Sequence, residues 1–295
     1  MATNDISTAF VKQFGSNLDF LVQQKGSMLR NAVRMETVTG EEAYFDQLAS
    51  TAAQKKTTRN SDTPLVKSEH KRRRVTMYDY EWADLIDKED KLKMLIDPQS
   101  DYAVNASWAL GRSVDDAIIG AFSGSAYAGK AGATATSFTA ANILSVGIGA
   151  TGRMTLQKLL EAKAKLDAAD VDPNEPRYCA VTSTQLVDLL NVSEIKDADF
   201  NTVRALVRGE LDTFLGFKFI ICNRLASVDG GTVIGNGRAC LVWARSGVVL
   251  ALSKEINTRI DTRADKSYAT QVYAAMSIGA TRLEEEKCVQ ILCTE

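Results

Sequence analysis

Residues 80–121 read YEWADLIDKEDKLKMLIDPQSDYAVNASWALGRSVDDAIIGA, and this segment decides the fold. The part that follows Pro98 predicts one long helix of about 20 residues. The residues on one face of this helix are mostly small: Ala103, Ala106, Leu110, Ala117 and Ala121. Such a face can lie close against a sheet, so we expect Ala106 and Leu110 to be buried there and glutamate at position 106 to prevent folding.

A polar and strongly basic run comes before this helix. Residues 52–76 read AAQKKTTRNSDTPLVKSEHKRRRVT. Its basic residues are Lys55, Lys56, Arg59, Lys67, Lys71, Arg72, Arg73 and Arg74. The acids that follow it are Asp79, Glu81, Asp84, Asp87, Glu89 and Asp90. A basic segment beside an acidic one indicates self-complementary subunits, with Asp84, Asp87 and Asp90 as partners, whereas a solvated loop or a nucleic-acid-binding cluster is the alternative interpretation.

Residues 40–80 are predicted to form an extended hairpin loop. Pro64 and the many Ser, Thr, Asn and Asp residues favour this conformation over a helix, and a loop this long is usually functional or disordered. We expect Arg72, Arg73 and Arg74 to contribute little to the core of their own subunit. Reversing their charge should therefore leave the subunit folded and block its association with other copies.

Composition narrows the class of protein. The chain has 295 residues, of which 45% are hydrophobic and 24% are charged, so a real core is expected. The net charge of -2 argues against general affinity for nucleic acid. The five cysteines form no CxxC pair and lie in apolar runs, which predicts buried free thiols in a reducing cytosol. We find no pattern of an export signal or a membrane-spanning helix and expect neither.

The remaining periodicities predict a mixture of helices and strands. Apolar spacing indicates a helical arm in residues 1–38, and small residues over 123–140 indicate a flexible loop. Thr155 is expected to open a helix, Thr182 and Gln185 to form a capping box, and Phe200, Val203 and Val207 to lie on a further helix. Strands are predicted at RYCAVT, GFKFIIC, ACLVWA and GVVLALS, and again from Ile256 to the end of the chain.

Two glycine motifs have the spacing of nucleotide-binding sites. GSAYAGK at 124–130 matches the phosphate-binding loop, but Ala131 stands where a hydroxyl should meet magnesium. GIGATG at 147–152 has the order of a dinucleotide fingerprint, but RYCAVT ends without an acid for the ribose. A flexible loop and a glycine hinge are the favoured interpretations.

The sequence contains no group of residues that we interpret as a catalytic site. His70 is the only histidine, so neither a histidine-based triad nor a multi-histidine metal site can form. The acids Asp115, Asp116 and Glu284 to Glu286 are adjacent rather than convergent. We interpret them as surface or subunit contacts.

The order of these parts resembles that of a tailed-phage major capsid protein. The resemblance spans nearly the whole chain, and its most specific pieces are residues 80–121 and LLNVSEIKDADFNTVRALVRGELDTFLGFKFI at 189–220, followed by the closing KSYATQVYAAMSIGATRLEEEKCVQI. It implies the α+β Hong Kong 97-like capsid fold. The implied parts are an N-terminal arm (1–38), an extended loop (39–80), a peripheral domain with the long helix (81–150), an axial domain (151–252) and the C-terminal strands of the peripheral domain (253–295).

The resemblance also implies a function. Such a protein assembles with itself into hexamers and pentamers of an icosahedral head that encloses double-stranded DNA, and it is neither an enzyme nor a cofactor binder. Expected partners are portal and scaffolding proteins, a decoration protein and, without sequence specificity, the packaged DNA. The location is the virion, after synthesis in the cytoplasm of the host bacterium.

Some members of that family join neighbouring subunits through a lysine–asparagine bond, and Lys55, Lys56 and Lys67 lie where such a lysine would be. Two other functions stay open on the residues alone. One is an α/β enzyme that binds a nucleotide at GIGATG, and the other is a nucleic-acid-binding protein that uses its basic arm.

Overall fold

The computed structural model describes residues 23–59, 62–63, 65–86, 99–148, 152–191, 213–228 and 237–295. The chain forms two compact units. The smaller unit contains Met1–Gly26, Tyr80–Arg112 and Ile256–Met276, and the larger contains Ser27–Asp79, Ser113–Glu255 and Ser277–Glu295. The described residues form three sheets and three α-helices, which confirms the predicted α+β class. The predicted helical arm lies mostly outside these residues.

The long predicted helix is confirmed as α1, Gln99–Ser123. Ala106 and Leu110 are buried, as expected, at 0% and 3% exposure. Beyond them the predicted face was wrong, because Ala117 and Ala121 are only half-buried. The buried stripe continues at every fourth residue through Val114, Ile118 and Phe122. Large side chains rather than alanines therefore form the packed face of the C-terminal half of α1.

Two shorter helices begin at the predicted residues. The Thr155 side chain accepts a hydrogen bond from the backbone N–H of Lys158 and caps α2, Leu156–Ala168. Before α3, Ser183–Asn191, the backbone N–H of Thr182 donates to Oε1 of Gln185 at 2.9 Å, which is one half of the predicted capping box. The helix predicted around Phe200, Val203 and Val207 lies outside the described residues. One-turn 3₁₀ helices occur at Arg30–Ala32, Ala140–Asn142 and Arg245–Gly247.

The first sheet forms the core of the larger unit. Its strands are β7 (Ile143–Leu144), β8 (Arg177–Val181), β9 (Phe217–Ile221), β10 (Ser227–Val228), β11 (Gly237–Ala244) and β14 (Cys288–Thr294). Their order in the sheet is β7-β14-β11-β8-β9, and β10 pairs with β11. Trp243 on β11 is almost fully buried, stacks on Tyr178 and donates its indole N–H to the carbonyl of Ala32 at 2.9 Å. All five cysteines are buried and free, as predicted.

The second sheet has the order β1-β12-β13-β4. Its strands are β1 (Arg34–Thr37), β4 (Tyr78–Ile86), β12 (Val248–Arg263) and β13 (Ala269–Arg282). The sequence predicted separate strands before and after Ile256, but β12 is continuous through this residue. The last strand, β14, pairs with β11 of the first sheet rather than with β13. The domain boundaries implied by the resemblance stay predictions.

The third sheet has the order β2-β3-β5-β6. Its strands are β2 (Glu42–Leu48), β3 (His70–Thr76), β5 (Ala126–Ala128) and β6 (Thr134–Thr136). The flexible loop predicted over 123–140 was therefore wrong, since β5 and β6 pair as a hairpin. A turn at Gly129–Gly132 joins them, and both glycines have positive φ angles. The small residues therefore allow this tight turn and the pairing of β5 with β3, and they do not mark a flexible loop.

A candidate assembly interface

The basic run belongs to a long hairpin, as predicted. Strands β2 and β3 pair antiparallel from Glu42↔Thr76 to Leu48↔His70. The backbone N–H of Ala49 donates to the carbonyl of Glu69 at 2.9 Å, so the ladder continues one step beyond the strands. The described residues of the connection that follows are mostly exposed, and Leu65 reaches 92% exposure. Strands β2 and β3, the root of this hairpin, thus form an ordered ladder, and the described residues of the connection expose their side chains to solvent.

The two faces of the hairpin root differ. On one face Arg72 forms an ion pair with Asp46, with its Nε 2.5 Å from Oδ1, and its guanidinium lies 5.5 Å from the ring centre of Tyr44. The hydrogen bond from Arg72 lowers the pKa of Asp46. Arg74 pairs with Glu42 at 3.0 Å on the same face. This face is exposed but nearly balanced in charge, which gives little general attraction for DNA phosphates.

Arg74 is also held by the neighbouring hairpin. Its guanidinium lies 4.9 Å from the ring centre of Tyr127 on β5. A side chain on Gly132 would place its Cβ only 2.6 Å from Cδ of Arg74. Glycine is therefore needed at 132 both for its φ of +60° and for the space that Arg74 occupies.

Arg73 lies on the opposite face and is mostly buried, with 12% of its side chain exposed. Its Nε donates to the carbonyl of Leu283 at 3.1 Å, and its Nη2 lies 3.4 Å from Oε1 of Glu285. The expectation that this arginine contributes little to its own subunit was wrong. The basic run is thus divided between side chains that acids of the same subunit bind and side chains without an ion-pair partner among the described residues.

The free group comprises Lys55, Lys56, Arg59, Lys67 and Lys71, all exposed and without an ion-pair partner among the described residues. Lys71 and Lys130 line a groove of about 690 Å³ beside the hairpin root, together with Asp46 and Glu69. Arg72 and Arg73 line it as well, so the groove carries more positive than negative side chains. Acidic groups are the ligands that such a groove favours.

The predicted acidic partners are only partly described. Asp84 on β4 is exposed, and its Oδ1 accepts a hydrogen bond from the backbone N–H of Leu85 at 2.8 Å. Asp87 and Asp90 lie outside the described residues. Asp84 therefore has no basic partner of its own subunit within the described part of the chain.

The glycine motifs do not form nucleotide sites where they are described. GSAYAGK follows α1 and enters the β5–β6 hairpin, whereas a phosphate-binding loop joins a strand to a helix. At GIGATG the preceding strand β7 pairs with β14 rather than with β8. The backbone N–H of Thr294 donates to the carbonyl of Gly152 at 2.9 Å, so β14 binds the last glycine of this motif. The described residues also bring together no group of His, Cys, Asp and Glu that could hold a metal ion.

Sequence reasoning missed several buried charges. Asp115 is fully buried and accepts hydrogen bonds from Oγ of Ser27 at 2.5 Å and from the backbone N–H groups of Met28 and Leu29, each at 3.0 Å. The surface assignment of Asp115 was wrong, whereas the neighbouring Asp116 is exposed and pairs with Arg224. The only sequence signal is that Asp115 lies one residue after Val114 on the apolar side of α1.

Lys158 is another buried charge. Its Nζ donates to the carbonyls of Gly152 at 3.0 Å and Leu292 at 2.9 Å, and burial lowers its pKa. The bond to Leu292 joins the first turns of α2 to the last strand, β14, and the bond to Gly152 holds the segment that leads into α2. Nothing in the local sequence LQKLLEAKAKLDA distinguishes this lysine from the exposed ones.

Comparisons with known proteins agree with this architecture. The family model described as phage capsid protein matches residues 6–295. A search of curated proteins found no match. Within the described residues, no helix has the length and apolar character to cross a membrane.

Solved phage capsids share the fold. The capsid of Ralstonia phage GP4 matches with a TM-score of 0.77 and 12% identity, covering 97% of this chain and 95% of that one. The capsid of cyanophage P-SCSP1u matches with a TM-score of 0.74 and 16% identity, covering 98% and 94%. The capsid of Helicobacter pylori bacteriophage KHP30 matches with a TM-score of 0.67 and 13% identity, covering 99% and 97%. With the family match across almost its whole length, the chain belongs to the phage capsid proteins: it has the Hong Kong 97-like fold and is a self-assembling structural protein of a tailed-phage virion shell.

Proposed function

We propose that the chain tiles an icosahedral head as hexamers and pentamers around double-stranded DNA and has no enzymatic activity. The observation that carries this proposal is the extended hairpin. Its root is fixed by a seven-residue ladder, and its exposed connection carries Lys55, Lys56, Arg59 and Lys67 without partners among the described residues. A projecting arm of this kind enlarges an interface without enlarging the core of the subunit.

The contacts between copies follow from the division of the basic run. Lys55, Lys56, Arg59, Lys67 and Lys71 of one copy meet Asp84, Asp87 and Asp90 of a neighbour. We expect Arg72, Arg73 and Arg74 to contribute less to the contacts between copies, because acids of their own subunit already bind them. Opposite charges on a repeated interface fix its register more than they add to its affinity.

Further partners follow from the family role. A portal protein and a scaffolding protein accompany assembly in the cytoplasm of the host bacterium, and a decoration protein binds the finished shell. Contact with the packaged DNA is weak and independent of its sequence, since the chain carries a net charge of -2. No cofactor takes part.

Electron microscopy of the purified full-length chain tests the proposal. Capsomer rings of five and six subunits, or closed particles, are the expected result. Discrete dimers or small oligomers that never close would contradict it. Calorimetry with ATP and with NAD should show no binding at micromolar concentrations, and saturable heat from either nucleotide would instead support an enzyme.

A further inference from the structure

Two buried charges of opposite sign, Arg282 and Glu285, lie at the end of β13 and in the turn that joins β13 to β14. Arg282, the last residue of β13, is fully buried, and its Nη1 donates to the carbonyls of Ala121 at 3.0 Å, Phe122 at 2.6 Å and Gly124 at 2.5 Å. Ala121 and Phe122 lie in the last turn of α1 and Gly124 follows the helix directly, so these backbone acceptors have no partner within the helix. A positive charge there also complements the helix dipole. Arg282 therefore closes the end of α1.

One carboxylate serves Arg282 and the extended hairpin together. Oε2 of Glu285 accepts from Nε of Arg282 at 3.0 Å, and Oε1 lies 3.4 Å from Nη2 of Arg73. The same turn binds the hairpin through the carbonyl of Leu283, which accepts from Nε of Arg73 and from Nε2 of Gln47 at 2.8 Å. Glu285 is thus the link between a hairpin residue and the residue that closes α1.

Arg73, Glu285 and Arg282 are all largely buried, so water cannot easily replace their contacts with one another. The exposed fractions of the side chains are 12% for Arg73, 10% for Glu285 and 0% for Arg282. Nη1 of Arg73 is buried and has no hydrogen-bond partner among the described residues. Glu285 is the one carboxylate that pairs with both guanidinium groups among the described residues, so losing either contact leaves a buried charge with only backbone carbonyls to compensate it.

We propose that Glu285 is a positioning residue that couples the orientation of the extended hairpin to the closure of the α1 C-terminus. When Arg73 leaves Glu285, the carboxylate re-centres on Arg282 and the contacts of Arg282 with the helix end weaken. When Arg282 moves, the hairpin root loosens in turn, since such coupling is reciprocal. The coupling is a property of the subunit and does not depend on shell assembly.

Hydrogen exchange on the purified full-length chain tests this coupling. The variant Arg73→Met keeps the alkyl stem but removes the charge. It should raise amide exchange at the end of α1, residues 121–124, by about tenfold, although the described hydrogen bonds and ion pairs of Arg73 go to Leu283 and Glu285 and to none of these residues. Arg72→Met is the matched control, because Arg72 is the next residue but pairs with Asp46 on the other face of the sheet.

The effect must pass through Glu285. In the background of Glu285→Gln, adding Arg73→Met should change exchange at 121–124 by less than about twofold. Arg73→Lys, which restores a charge at this position, should recover part of the protection. Unchanged exchange at 121–124 in Arg73→Met, or an equal rise in Arg72→Met, would overturn the coupling. If Glu285→Gln does not fold, the comparison of Arg73→Met with Arg72→Met decides alone.

Discussion

At the scale of single residues, buried charges organise this subunit. Asp115 receives three hydrogen bonds from the segment that leads into β1, and a carboxylate that accepts backbone N–H groups fixes the path of the chain more tightly than apolar contact does. Arg282 does the same for the C-terminal end of α1. Both residues act on backbone groups that would otherwise be buried without partners.

Replacing Asp115 tests the first of these anchors. Asp115→Ala leaves two backbone N–H groups and one hydroxyl without their acceptor and should lower the free energy of unfolding by about 3 kcal/mol. Asp116→Ala removes only an exposed ion pair with Arg224 and should cost less than about 1 kcal/mol. Denaturant unfolding of both variants measures the difference. Equal costs would show that the hydrogen bonds of Asp115 are not what holds the segment.

The packed face of α1 gives a second prediction. Ala106 is fully buried, so Ala106→Glu places an unpaired carboxylate in the core and should lower stability by at least about 3 kcal/mol, leaving no folded protein. Val104 on the same helix is 40% exposed, and Val104→Glu should fold. Soluble yield and circular dichroism report the outcome. Native-like Ala106→Glu protein would mean that the helix face is assigned wrongly.

At the scale of elements, β3 and β13 approach each other closely at one glycine. A Cβ on Gly279 would lie 2.4 Å from the carbonyl oxygen of Thr76, which is backbone and cannot rotate away. Gly279→Ala should therefore displace the hairpin root and cost about 2 kcal/mol. Gly120 on α1 has open space where its Cβ would be, so Gly120→Ala should instead stabilise by up to about 1 kcal/mol.

Thermal unfolding of the two alanine variants measures both effects against the wild-type chain. The signs are opposite because one glycine is required by a neighbouring strand and the other only weakens a helix. A stabilising Gly279→Ala would show that the two strands can separate without cost.

Local patterns predicted the elements that depend on periodicity and caps. The length of α1, the start of α2 at Thr155 and the strand around Cys179 follow from neighbouring residues alone. The β5–β6 hairpin was missed because its alanines and threonines are short, and its pairing with β3 is a long-range contact. Glu285 was missed for a similar reason. A run of three glutamates suggests a solvated turn, and only the fold brings two arginines to the middle one.

At the scale of the whole molecule, assembly should depend on the basic residues that have no ion-pair partner in the described part of the subunit. Reversing Lys55, Lys56 and Lys67 to glutamate removes no described contact of the subunit, so the variant should fold with an unchanged circular dichroism spectrum. Each exposed ion pair contributes only about 0 to 1 kcal/mol, but the contact recurs at every subunit of a closed shell. Sedimentation should therefore show free subunits or small oligomers in place of particles.

Restoring complementarity completes this test. Reversing Asp84, Asp87 and Asp90 to lysine in the same chain should recover part of the assembly if these acids are the partners, because both sides of the contact then carry the opposite sign. Arg73→Glu serves as the contrast, since it places a second carboxylate beside Glu285 and should unfold the subunit rather than only block assembly. If the variant with glutamate at positions 55, 56 and 67 still forms normal particles, these three lysines are not part of the interface. The interface would then lie on the face of Arg72 and Arg74. An unfolded triple variant would mean that the hairpin connection stabilises its own subunit.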